Sequence, residues 1–128
     1  MITTEDTREI GFIGEQLAAR FLQQAGYTIV ARNSQCGRFE IDLIAQDKEK
    51  CLIFTEVKTS VIKNNNGEIF NPILRITPGK LQTIRQAAQW YLAKIHKNLD
   101  VAWRIDGISV KIDRANQKAR ISHFKFIG

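Results

Sequence analysis

The run Cys51-Leu52-Ile53-Phe54 constrains this chain more than any other. Side chains alternate across a strand, so consecutive apolar residues make it apolar on both faces. Such a strand belongs in the interior of a sheet that is covered above and below. Residues 38–46 read as its hairpin partner across the charged turn Asp47-Lys48-Glu49-Lys50, and the second strand runs over 51–58.

Two helices supply the cover. From Thr4 to Ala25 the residues Ile10, Ile13, Leu17, Phe21 and Leu22 recur at helical spacing, with Thr3 or Thr4 as cap and Gly26 as stop. Gly11 and Gly14 leave that helix room for close packing. A second helix opens at Thr77-Pro78 and runs to about Lys97, with Leu81, Ile84, Ala88, Tyr91, Leu92 and Ile95 on one side. A short strand over 27–31 and a loop over 32–37 precede the hairpin, and strands over 101–112 and 119–127 close the chain. The expected fold is α/β, a mixed five-stranded sheet flanked by helices in the order αβββαββ, with residues 1–128 as one domain.

Composition removes several classes. With 44% hydrophobic and 25% charged residues the chain can bury a core and is not disordered. No apolar run approaches the ~18 residues of a membrane span. Acids at Glu5 and Asp6 stand where a secretory signal carries basic residues. Cys36 and Cys51 form no CxxC pair, and His96 and His123 lack metal-ligand spacing. A cytoplasmic protein without membrane attachment is expected. Residues 1–60 carry 7 basic and 9 acidic side chains, a net of −2, whereas residues 61–128 carry 12 and 4, a net of +8. A basic half beside an acid-bearing half suits a polyanion that one grips and the other approaches with carboxylates.

The chemistry concentrates at Glu56-Val57-Lys58, which ends the apolar strand, with Asp42 on the strand alongside. Glu56 and Lys58 share a face. Burying them costs several kcal/mol unless each finds a partner. Two neighbouring carboxylates repel, and a divalent cation relieves the repulsion; hard oxygen donors of this kind suit Mg²⁺ or Mn²⁺. Lys58 would then stand where it could activate a water or neutralise charge on phosphorus. The same residues also read as a strand-end ion pair, the reading these features favour when taken alone, since an acid two before a lysine arises about once by chance in a chain of this composition.

Further motifs accompany this one. Gly14-Glu15, Gly26-Tyr27, Glu40-Ile41-Asp42-Leu43-Ile44-Ala45 and Phe54-Thr55-Glu56-Val57-Lys58 occur in order, followed by Lys80 opening a helix and Trp103-Arg104-Ile105-Asp106 in a strand. Together they resemble the YraN-type family, grouped with archaeal Holliday-junction resolvases in the restriction-endonuclease-like PD-(D/E)xK superfamily. The resemblance implies that Asp42, Glu56 and Glu15 hold a metal, with the Val57 backbone carbonyl as a further ligand, and that Lys58 is the catalytic lysine. Phe39 stands where the family usually has Gly, and Ser60 where it often has Arg. It also implies a divalent-metal-dependent endonuclease acting on DNA, at branched or junction structures, and by analogy a homodimer. The rival reading is a module of the same fold that binds nucleic acid without cutting it. A third is an assembly role with vestigial acids.

Other residues carry weaker expectations. Arg75, Lys80 and Arg85 flank the start of the second helix, where the helix dipole and free N–H groups favour phosphate. Lys63, beside Asn64-Asn65-Asn66-Gly67, is a further candidate for nucleic-acid contact. Glu40 shares a strand face with Asp42 and reads as structural. Either Trp90 or Tyr91 should be core, and Cys36 reads as a small loop residue.

Overall fold

A computed structural model describes residues 4–62, 75–98 and 100–128. Its elements follow the expected order: helix α1 (Thr4–Gln24), strands β1 (Thr28–Cys36), β2 (Phe39–Gln46) and β3 (Leu52–Val61), helix α2 (Pro78–Tyr91), then β4 (Trp103–Asp113) and β5 (Lys118–Phe124). The five strands lie side by side in sequence order. All neighbours are antiparallel except β3 and β4, which run parallel through the crossover that contains α2.

Alternation along β3 assigns the two faces as its composition requires. Leu52 and Phe54 pack with Ile44, Ile84, Ala88, Tyr91 and Ile105 under α2. Ile53 and Val57 pack with Ala18, Leu22, Leu43, Ile108 and Val110 under α1. Phe54 stacks edge-on against Tyr91 and Trp103, at 5.7 and 5.8 Å between ring centroids. Tyr91 is therefore the core member of its pair, while Trp90 lies over Gly37, whose added Cβ would stand 3.0 Å from the indole.

The local signals act where the sequence puts them. Gly26, at φ +98°, closes α1: its N–H reaches the Gln23 carbonyl, and the Tyr27 N–H reaches that of Leu22 at 2.9 Å. Thr77 caps α2, accepting from the Lys80 N–H at 3.1 Å, with Pro78 in the first turn. Gly14 is required where α1 crosses β3, because a Cβ there would fall 1.9 Å from Thr59 Oγ1. Gly11 faces open space instead.

Three expectations change. Residues 32–36 are strand, not loop: Ser34, Gln35 and Cys36 pair with Ile41, Glu40 and Phe39, and the turn is confined to Gly37 and Arg38. Their polar side chains look loop-like because β1 is an edge strand that leaves most of them in water. Cys36 is accordingly a buried core residue. The second helix ceases to be α-helical at Tyr91, and Leu92–His96 form one wider π turn that ends with Lys97 at φ +60°. Lys63 and the run Asn64–Gly67 lie outside the described residues.

Candidate functional site

The β2–β3 ladder ends at Leu43 and Thr55, although β3 continues beside β4 to Val61. Among the described residues the β2-facing edge of β3 therefore lacks a strand partner past Thr55. Asp42 fills the gap, its Oδ2 accepting from the Val57 N–H at 2.9 Å. An extended residue turns its N–H and C=O to the same edge, so the Val57 carbonyl faces this opening too.

Four expected residues join Asp42 here. Glu56 on β3 is 6% exposed. Lys58 Nζ and Lys80 Nζ each lie 3.8 Å from Glu56 Oε1, one from the same strand and one from the first turn of α2. Glu15 is half-buried, brought to Asp42 by the close passage of α1 that Gly14 permits. Burial, then the Asp42 carboxylate, push the Glu56 pKa up to about 7 against the pull of Lys80 and Lys58. Burial and Asp42 likewise raise Glu15 to about 7, with Glu40 adding to the rise and Asn33 opposing it. Asp42 is within hydrogen-bonding reach of both glutamates, which adds a little to the rise in each.

Asn33 is the member that sequence reading missed. Its amide, oriented by the hydrogen-bond network, donates to Glu15 Oε1 at 3.0 Å and to Glu40 Oε1 at 3.1 Å. Asn33 sits at φ +47° within β1. An Asn in a polar run was the only available signal, and that run reads as a loop. Glu40 is exposed and joins the acids only through Asn33 and the electrostatic push on Glu15.

The remaining candidates divide. Arg75 lines a cleft of about 370 Å³ with Lys58, Thr59, Ser60, Ser109 and Lys111. A second cleft, of about 400 Å³, opens beside Glu15 between Gly11 on α1 and Val57, Thr59 and Ser60 on β3. Arg85 turns to Gln82 Oε1, at 3.0 Å, and stands next to the C-terminal Gly128. The Lys80 N–H serves the Thr77 cap, so Lys80 comes to the site as an ammonium and not as a free helix-end donor. Among the described residues no three His, Cys, Asp or Glu side chains stand in ready metal-binding geometry. Both glutamates stand within hydrogen-bonding reach of Asp42 instead, and gathering the three round an ion takes rotamer changes in the two long glutamates.

Comparison with known proteins assigns the chain to a family. Residues 14–110 match the model described as "uncharacterised protein family UPF0102". The chain belongs to the UPF0102 family. A UPF0102 protein of Mycolicibacterium vanbaalenii is 36% identical over 125 residues, covering 98% of each chain. One from Chlorobium chlorochromatii is 40% identical over 118 residues, covering 92% of this chain and 85% of its own. This is the YraN-type family that the sequence motifs resemble. A solved structure of Pyrococcus furiosus SfsA in complex with Ca²⁺ superposes at a TM-score of 0.39 and 12% identity, over 94% of this chain and 64% of that one. That likeness is too distant to bear on fold or function. No helix among the described residues is long and apolar enough to cross a membrane.

Proposed function

We propose that this UPF0102 member is a divalent-metal-dependent endonuclease that hydrolyses DNA phosphodiester bonds, with branched or junction DNA as the preferred substrate. One observation carries the reading: Glu15 and Glu56 converge on a shared Asp42, where burial and that carboxylate push both up to about 7, beside two lysines and a cleft lined with cations. Like-charged carboxylates held this way are costly without a ligand, and a hard dication relieves that cost. Asp42, Glu56 and Glu15 would hold Mg²⁺ or Mn²⁺, with the Val57 carbonyl facing the same opening. The ion would supply Lewis-acid stabilisation of the phosphorane oxygens and a more acidic bound water. The protein's own part is positional. Lys58, half exposed and tethered to Glu56, orients the attacking water or neutralises charge on phosphorus, and Lys80 holds a neighbouring phosphate.

A second reading has support in the ion pairs themselves. Lys58 and Lys80 both face Glu56, which is how a strand end is stabilised in a module that binds nucleic acid without cutting it. Cleavage assays on end-labelled four-way junction, linear duplex and single-stranded DNA separate the two. Metal-dependent products that vanish in EDTA and in Glu56→Gln are the expected result. Salt-sensitive binding with no product under Mg²⁺ or Mn²⁺ would establish the binding module instead.

A further inference from the structure

Beyond Thr55 the two faces of the sheet diverge. On the α1 face the apolar core continues through Val57, Ile108 and Val110. On the α2 face the strand residues of the core stop at Phe54 and Ile105. The register then sets out two polar rows past Glu56: Lys58 beside Ser109 beside Ser122, and Ser60 beside Lys111 beside Arg120. Partners in register share a face, and so do alternate residues of one strand. Three cations and three hydroxyls therefore tile one surface, in rows about 7 Å apart.

The tiling has the chemistry of an extended polyanion site. Cations stand on each of three successive strands, with hydroxyl donors between them. Ser109, only 4% exposed, sits in the floor of the 370 Å³ cleft that Lys58, Ser60, Lys111 and Arg75 also line. No carboxylate falls within the two rows. The next acid, Asp113, lies one row on, where it accepts from the Asn116 amide at 2.9 Å and feels the charge of Arg120. A lone phosphate would need one such row, and an apolar ligand none. Lysine, arginine and serine hydroxyls spread across strands are what contact to a nucleic-acid backbone uses.

We infer that this face is a backbone track, on which a nucleic-acid strand crosses β3, β4 and β5 and is led to or from Glu56. Ser109, Lys111, Ser122 and Arg120 are its distal part. The inference deepens the nuclease reading and rests on it for the class of ligand, so its test avoids cleavage altogether. Binding of a labelled single strand, the matching duplex and an RNA of the same sequence is measured by fluorescence anisotropy in EDTA, across a range of sodium chloride. The expected result for Lys111→Gln/Arg120→Gln is about tenfold weaker binding and a salt slope smaller by about 1 to 2, uniformly across sequences. The charge-matched control Arg20→Gln/Lys94→Gln, at exposed helix and helix-end positions, should change binding less than about twofold. Unchanged binding in the first variant, an equal loss in the control, or no binding by the wild-type protein would each overturn the track. Loss on the track with no cleavage under any metal would remove the nuclease reading alone. Cleavage with unaltered variant binding would remove the track alone. Whether DNA or RNA binds more tightly identifies the backbone.

Discussion

Two buried acids occupy neighbouring rows of this sheet, and the chain treats them and their surroundings in opposite ways. Asp106 registers with Thr55, and Glu56 with Gly107, so the acids are one step apart on opposite faces. Asp106 is fully buried on the α1 side, yet it collects Arg104 Nε at 2.9 Å, His123 Nε2 at 2.7 Å and the Phe126 N–H at 3.1 Å. Burial pushes its pKa up, and these partners more than reverse the push, holding it below the usual carboxylate value. Tyr27 and Asp47 in turn hold Arg104, and the rings of Phe21 and Tyr27 meet His123 edge-on. Glu56 is nearly as buried but faces Asp42, and its lysines stand off at 3.8 Å, beyond hydrogen-bond reach. An acid supplied with every donor it needs holds a fold together. An acid set against another acid is costly to keep, and under the proposed function that cost marks room for an ion.

Removing one carboxylate from each set gives the sharpest contrast. Asp106→Ala strands a nearly buried guanidinium, an imidazole and an N–H, and should cost about 3–5 kcal/mol in urea unfolding. Glu56→Gln removes a repulsion, so at about pH 8 its unfolding midpoint should match or exceed that of the wild type. A loss in Glu56→Gln as large as that in Asp106→Ala would break the distinction. Activity should sort the other way. Asp42→Asn and Glu56→Gln are expected to lower metal-dependent cleavage roughly a hundredfold or more, the scale of the several kcal/mol that a Lewis-acid ion supplies. His123→Gln, measured per folded molecule, should cleave within about threefold of wild type.

The helices, the central apolar strand and the convergence of Asp42, Glu56 and Lys58 were all legible because each rests on a short-range pattern: periodicity, a cap, a hairpin. The misses have one physical origin. Arg32-Asn33-Ser34-Gln35 has loop composition because an edge strand leaves its side chains in water, and this hid both the length of β1 and the bridge from Asn33 to Glu15. His123 has no ligand spacing in sequence, and only the pairing of β5 with β4 brings it to Asp106. The row containing Lys111 and Arg120 is invisible for the same reason. Register between strands distant in sequence is a tertiary fact, and no local propensity encodes it.

Gly14 links the two faces, since it lets α1 lie against β3 and carry Glu15 over to Asp42. Gly14→Ala places a methyl 1.9 Å from Thr59 Oγ1 and 2.8 Å from Thr59 Cβ, so backbone has to move. The expected cost is about 1–3 kcal/mol. The carboxylate set should feel the shift more than the Asp106 set does, through a weaker apparent affinity for Mn²⁺ read by calorimetry. Gly11→Ala, which meets open space, should leave both unchanged. An equal effect of the two substitutions would mean that helix propensity, not the crossing, is what matters.

The smallest effect has the clearest sign. Glu15 and Glu56 rise from the ordinary 4.5 to about 7 in the folded chain, so folded protein binds more protons than unfolded chain between those values. Stability should therefore fall as pH climbs through that window. Asp106 and Asp113 are lowered from 3.8, and their contributions are lost only as pH drops below that, outside the window of the two glutamates. Thermal midpoints should decline by a few degrees from about pH 5 to about pH 8, and the decline should flatten in Glu15→Gln/Glu56→Gln. Mn²⁺ should restore the midpoint at the alkaline end and do little at the acid end, where protons already occupy its place. A wild-type profile as flat as that of the double variant would mean that the acids are not set against one another, and the contrast with Asp106 would fail at its root.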